Sequence, residues 1–203
     1  MNGYKPRLAI PRRLFLLPLV SILGLSAKTL RAQEMTLELD PANTRIEFTL
    51  AATLHAVHGT FALKHGTVHF NPSSGTASGL VVVDATTGDS GNTGRDHKMH
   101  TEILESQRYP EITFTPTKMF GKVELQGDSA VQVEGILKLH GSDHGMTLTL
   151  PVQTKGSGLS ARSHIVIPYV EWGLKNPSTF LLHVSDKVEV DVIAVGKVQE
   201  RCP

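Results

Sequence analysis

An all-β fold with a single helix follows from three features of this 203-residue sequence. Short segments rich in Val, Ile, Thr, Leu and Phe recur along it, clusters of Gly, Asn, Asp and Pro separate them, and apolar and polar side chains alternate within them. The length suits one compact domain preceded by a targeting segment and is short for two domains.

Strands are expected at residues 36–39, 46–53, 59–64, 67–71, 80–84, 112–117, 123–126, 131–140, 146–154, 159–168 and 188–198. Ile46, Phe48 and Leu50 alternate with Glu47 and Thr49, Ile112 and Phe114 with Thr113 and Thr115, and Val188, Val190 and Val192 with Glu189 and Asp191. Each of these strands therefore has one apolar face, which a single flat sheet would leave wet. The sheet must pack on another or close on itself, and closure also removes its edges, so a sandwich or a barrel is expected. Residues 95–106 break the pattern. Met99 and Ile103, with Leu104 beside them, fall at helical spacing, and Tyr109-Pro110 ends the run, which predicts one helix between strands. Residues 121–129 and 155–160 read as hairpin connections.

The first 32 residues have a different composition. Lys5, Arg7, Arg12 and Arg13 precede a short apolar run over 14–25, and no acidic residue occurs before Glu34. A run of this length, interrupted by Pro18 and Gly24, falls short of the roughly 20 apolar residues a membrane span needs, so residues 1–32 are expected to be a cleaved signal peptide and residues 33–203 the folded domain. Cleavage after Ser26 and after Ala32 are both compatible with the small residues present, and Arg12-Arg13 fits either a twin-arginine or an ordinary Sec signal. The expected location is periplasmic or secreted, with no stable membrane anchor after signal removal.

Six of the 20 Lys and Arg lie before residue 33 and none of the 19 Asp and Glu do, leaving 14 against 19 and a mature net charge of −5. An acidic domain does not attract phosphate backbones, which argues against a nucleic-acid partner. Cys202 is the sole cysteine, so no intrachain disulfide forms.

Ten histidines raise the question of a metal, with His97 and His100 on one helical face, and with His55 near His58 and His140 near His144. A zinc site needs three or four converging ligands, and neither a Cys-x-x-Cys nor a His-Glu-x-x-His motif occurs, so no metal and no cofactor is expected. The Gly-x-Ser-x-Gly turn of a serine hydrolase is missing, and Gly88, Gly91 and Gly94 lack a dinucleotide-binding spacing. No catalytic residue is assigned.

The stretch from Gly91-Asn92-Thr93-Gly94-Arg95-Asp96-His97 to Tyr109-Pro110-Glu111-Ile112-Thr113-Phe114 resembles the central signature of the YceI-like, lipid-binding family. Further matches are Asn43-Thr44-Arg45-Ile46-Glu47-Phe48, Gly59-Thr60-Phe61, Val133-Glu134-Gly135, Leu139-His140-Gly141 and residues 188–195, in the family's order. The chain departs from the commoner pattern at residues 55–58 and at residues 169–178. The resemblance implies an extended, lipocalin-like antiparallel β-barrel of about eight strands, a helix after Arg95-Asp96, and an apolar cavity holding a polyisoprenoid or other long-chain amphiphilic lipid, such as an isoprenoid quinone, for transport or storage. Such a carrier leaves room for a homodimer.

Candidate lumen residues are the apolar halves of the alternating strands: Phe48, Leu50, Phe61, Leu80, Val82, Ile112, Phe114, Val133, Leu137, Leu148, Leu150, Ile165 and Ile167. Arg95 and Asp96 either meet a ligand head group or fix the start of the helix. Tyr169 and Trp172, each with an apolar body and a polar handle, either line the mouth or plug one barrel end. Two other functions compete with a lipid carrier: a scavenger of hydrophobic toxic compounds using the same cavity, and a histidine-metal hydrolase.

Overall fold

A computed structural model describes Gly3, residues 34–124 and residues 126–200. The expected signal peptide, apart from Gly3, and Cys202 lie outside the described residues. Nine strands follow one another: β1 (Met35–Leu39), β2 (Arg45–Leu50), β3 (Val57–Phe70), β4 (Ala77–Asp89), β5 (Glu111–Gly121), β6 (Gly127–Leu139), β7 (Ser142–Lys155), β8 (Gly158–Ile167) and β9 (Val188–Glu200). The helix α1 (Thr93–Lys98) lies between β4 and β5 and continues as a wider, π-type turn over Met99–Ile103.

All strand pairs are antiparallel, and the sheet closes on itself. β3 pairs with β4, β4 with β5, and so on to β8 with β9, while β1 and β2 both bridge β9 back to β3. They do so at different heights. β1 pairs with the far ends of its neighbours, as in Met35 opposite Phe70 and Glu200, and β2 with their near ends, as in Phe48 opposite Gly59 and Val190. Nine strands thus make eight staves, the stave of β1 and β2 being broken once. The break is a turn in which the Asp40 carboxylate accepts from the Ala42 N–H at 2.9 Å and from Asn43 Nδ2 at 2.7 Å. Hydrogen bonds from Asn43 and the Ala42 N–H hold the Asp40 carboxyl below the usual carboxylate range, as expected of a carboxylate receiving several donors.

The barrel is closed because alternation gives every strand an apolar face and the chain reverses often enough to curl the sheet onto itself. Two register shifts in β3, between Thr60 and Ala62 and between Leu63 and His65, add the local bend that closure needs.

Several boundaries differ from the sequence reading. The expected strands at 59–64 and 67–71 are one strand, β3, because Gly66 continues the pairing, opposite Val81, instead of turning the chain. The strand expected at 46–53 stops at Leu50, since residues beyond it cross to the segment before β9 through the bridge Ala52–Val184. The expected strand over 123–126 is absent among its described residues. β5 already ends at Gly121, and Glu124 instead accepts the Thr154 hydroxyl on its carbonyl. The helix begins two residues earlier than expected because Asn92, not Asp96, is its cap: the Asn92 side chain accepts from the Arg95 N–H at 3.0 Å.

Two apolar clusters occupy opposite ends of the barrel. Met35, Phe70, Met119, Val131, Val152, Leu159 and Ala161 pack together at one end. At the other, Leu139, Tyr169 and Leu174 gather Leu50, Ile103, Leu104, Ile112, Ile167 and Val188.

Candidate functional site: the barrel lumen

Between the two clusters the inward halves of the strands enclose a chamber of about 670 Å³. That is within the range of about 300–1,000 Å³ common to small-molecule pockets. Its wall is aliphatic and aromatic almost throughout. Phe48, Phe61, Phe114, Val83, Met146, Val190 and Val192 form its middle, and Met99, Ile103 and Leu104 close it on the helix side. The helical spacing of Met99 and Ile103 thus turns both inward.

Of the candidate lumen residues, Phe48, Leu50, Phe61, Ile112, Phe114, Val133, Leu137, Leu148, Leu150, Ile165 and Ile167 lie on this wall. Leu80 and Val82 do not. Leu80 is 40% exposed, Val82 is buried on the opposite face of β4, and Val81 and Val83 take the inward positions. The correction is one residue of register, and its cause is local: Leu80-Val81-Val82-Val83 is apolar on both faces, so alternation cannot fix which face is inside.

Phe114 is held by its neighbours. It sits opposite Leu137 on β6 and Val81 on β4, and its ring lies over Gly135, where a β-carbon would overlap it. Glycine at 135 is therefore a matter of close approach, leaving room for the ring.

The polar candidates are engaged within the fold. Arg95 touches the chamber wall, but its Nε donates to Ser90 Oγ and its Nη2 to the Ser90 carbonyl, both at 2.7 Å. Asp96 accepts from the Ser90 N–H at 2.9 Å and from its hydroxyl. Burial pushes the Asp96 carboxyl up, but the two Ser90 hydrogen bonds and the Arg95 charge outweigh it and hold the group below the usual range. Such a group stabilises the fold above its ordinary value, about 3.9, and loses that contribution as pH falls through its depressed folded value. Asp96→Asn is accordingly expected to lower the melting temperature near neutrality, with the difference from the parent shrinking below about pH 4. A difference that stays constant down to pH 2 in thermal unfolding would show that the carboxylate is not what Ser90 requires.

Tyr169 lines the chamber and is buried, its hydroxyl donating to the Ser185 carbonyl at 2.8 Å. It belongs to the buried cluster with Leu139 and Leu174 at one end. Trp172 lies off the wall and stacks flat on His144, with ring centroids 3.8 Å apart.

The remaining histidines are mostly engaged singly. His100 Nε2 donates to the Gly88 carbonyl at 2.8 Å while Nδ1 lies 3.0 Å from Ser106 Oγ, so its ring ties the helix to β4. His140 meets Glu105 at 3.1 Å and His164 meets Asp191 at 2.8 Å. Among the described residues no three His, Cys, Asp or Glu side chains come together to hold a metal ion.

A closed antiparallel barrel around an apolar chamber, with one helix laid along its wall, defines a lipocalin-like protein. The chain belongs to the YceI-like domain family, whose sequence profile matches residues 37–195. Its fold is shared by BcnA of Burkholderia cenocepacia, with a TM-score of 0.64 and 16% identity over 77% of this chain and 98% of that one. A polyisoprenoid binding domain from Saccharophagus degradans, described as implicated in plant cell wall breakdown, matches with a TM-score of 0.64 and 19% identity over 80% of this chain and 98% of that one. The YceI protein of Campylobacter jejuni matches with a TM-score of 0.50 and 15% identity, covering 68% and 81% of the two chains. Comparison with curated proteins finds no match.

Proposed function

We propose that this chain is an exported, non-enzymatic carrier that holds one long apolar ligand of the polyisoprenoid class, such as an isoprenoid quinone, inside the barrel. The observation that carries the reading is the apolar chamber of about 670 Å³ inside the barrel. An empty space of that size would forfeit packing along its whole wall, whereas each CH₂ that fills it contributes about 0.8 kcal/mol. Ordering a flexible chain offsets much of this gain, so affinity should follow how many carbons fit rather than any one contact. The likeness to a polyisoprenoid binding domain supports the same class. The basic, short apolar start of the sequence supports export to the periplasm or beyond.

Native mass spectrometry of protein recovered from an exporting host, with lipid extraction of the same sample, tests the reading. One long-chain isoprenoid per chain is the expected result. Protein that arrives empty, and stays empty when offered isoprenoid quinones in detergent, would overturn it.

A further inference from the structure

The ring of staves has a gap. β7 and β8 leave their hairpin in register from Lys155 opposite Gly158 to Val152 opposite Ala161, and no registered pair follows. Yet β7 stays paired with β6 as far as Ser142, and β8 with β9 as far as Ile167. Pairing stops where Pro151 would face Arg162, and proline has no N–H to donate to a ladder. Residues 145–151 and 162–167 therefore border an unladdered slot running about 20 Å along β8, at ~3.3 Å per residue, which the stack of Trp172 on His144 covers at its far end. The other short ladder, between β4 and β5, is shut by the bridge Thr76–Lys118 and by the Met119 N–H on the Gly75 carbonyl.

Two further observations give the slot a use. At the end packed by Met35, Phe70 and Met119 no exposed residue among those described borders the chamber, whereas at the Tyr169 end the exposed His55 and Thr179 do. At the slot the chamber reaches the outside as well: Arg162 alternates outward on β8 and is exposed, yet it borders the same chamber as its inward neighbour Ser163. The Ser163 hydroxyl oxygen is buried with no hydrogen-bond partner, in a wall otherwise made by Ala161 and Ile165. Arg162 has no ion pair among the described residues, whereas the guanidinium of Arg95 is engaged by Ser90.

We propose that the slot between β7 and β8 is a lateral portal for the ligand, and that an anionic head, carboxylate or phosphate, rests there on Arg162 and Ser163 while the tail lies in the chamber. The inference rests on the carrier reading, adds a route to it, and narrows the ligand from neutral heads such as a quinone to a chain with an acidic head. An Arg fork matches the planar oxygens of a carboxylate or the oxygens of a phosphate, and a serine hydroxyl left unpaired in an apolar wall gains a partner when such a head arrives. The head also stays at the water boundary, which spares the full cost of burying its charge.

The test uses three probes with one tail, hexadecanoate, hexadecyl phosphate and hexadecanol, and the full mature protein carrying Cys202→Ser. Arg162→Glu is expected to weaken retention of the two anions about tenfold or more and to leave hexadecanol within about twofold. Whichever anion loses more identifies the head chemistry. Arg162→Cys capped with a polyethylene glycol maleimide is expected to slow uptake of all three probes about tenfold or more, while the same cap at Ile136→Cys, an exposed position on β6, leaves uptake unchanged. Circular dichroism confirms that the variants fold. If both caps give the same uptake rate, or Arg162→Glu retains the anions as the parent does, the portal is overturned while the carrier reading stands. If the parent takes up none of the probes, the portal is overturned, while the carrier reading is decided by the isoprenoid loading described above.

Discussion

Phe114→Arg is expected to strip the protein of its apolar ligand, and Phe114→Leu to keep it. Phe114 lies mid-chamber on β5, between Val81 and Leu137, with its ring packed over Gly135. An arginine there must either bring its charge into an apolar wall without a partner, at several kcal/mol, or draw water into the chamber. Either outcome removes the surface on which a long tail is held. Leucine keeps the wall apolar and leaves a small void beside Gly135, at a cost of about 1–2 kcal/mol and weaker hold on the longest chains. Mass spectrometry after expression reads the loading and circular dichroism the fold. An arginine variant that stays folded and carries the parent's ligand would mean that Phe114 does not touch it.

Tyr169→Ala is expected to cost about 3–5 kcal/mol, a large part of the 5–15 kcal/mol that typically separates folded from unfolded domains. The ring is the centre of the plug formed with Leu139 and Leu174, and its hydroxyl fastens residue 169 to the Ser185 carbonyl across the segment that caps the barrel. Tyr169→Phe keeps the ring and loses only that hydrogen bond, about 1–3 kcal/mol with the carbonyl left unpaired. Burial, reinforced by the nearby Asp186 charge, pushes the Tyr169 hydroxyl up to about 12. A folded value raised above the ordinary 10 means that its contribution is complete below pH 10 and disappears as pH climbs through about 12. Urea midpoints at neutral pH rank the two variants, and tyrosinate absorbance follows the alkaline step. Equal midpoints for parent and Tyr169→Ala would remove Tyr169 from the plug.

How much of this was legible in the sequence depended on whether one face or two had to be apolar. Strand β5 alternates cleanly, so Ile112 and Phe114 were placed on the wall without ambiguity; β9 alternates as cleanly, and its apolar face of Val188, Val190 and Val192 lies on the same wall although none of the three is among the lumen candidates. In β4 four consecutive apolar residues erased the alternation, and the inward choice fell on Leu80 and Val82 instead of Val81 and Val83. The helix was readable from Met99 and Ile103, while its first residue was missed because Asn92, a strong cap, sits in a glycine-rich stretch that reads as loop. Arg95 and Asp96 drew attention as charges, but their partner, Ser90, lies on the far side of the turn and carries no local signature. Arg162 and Ser163 went unnoticed within a good strand. Their sequence signal was on another strand: Pro151, a residue that ordinary inner staves exclude.

The broken stave has a consequence for timing. β1 and β2 are the first strands described from the N-terminus, yet both need β9, the last, as when Thr36 meets Gln199 and Ile46 meets Val192. Hairpins from β3 to β8 can form as the chain appears, but the ring cannot close until its final residues are free of the ribosome. Contacts so distant in sequence make for folding over milliseconds to seconds rather than microseconds. During that interval the inner faces of the staves are open to solvent, and a hydrophobic guest present then would meet the wall before the ring shuts. Loading and folding would in that case be a single event, and the compartment in which the ring closes would decide which guest the barrel carries.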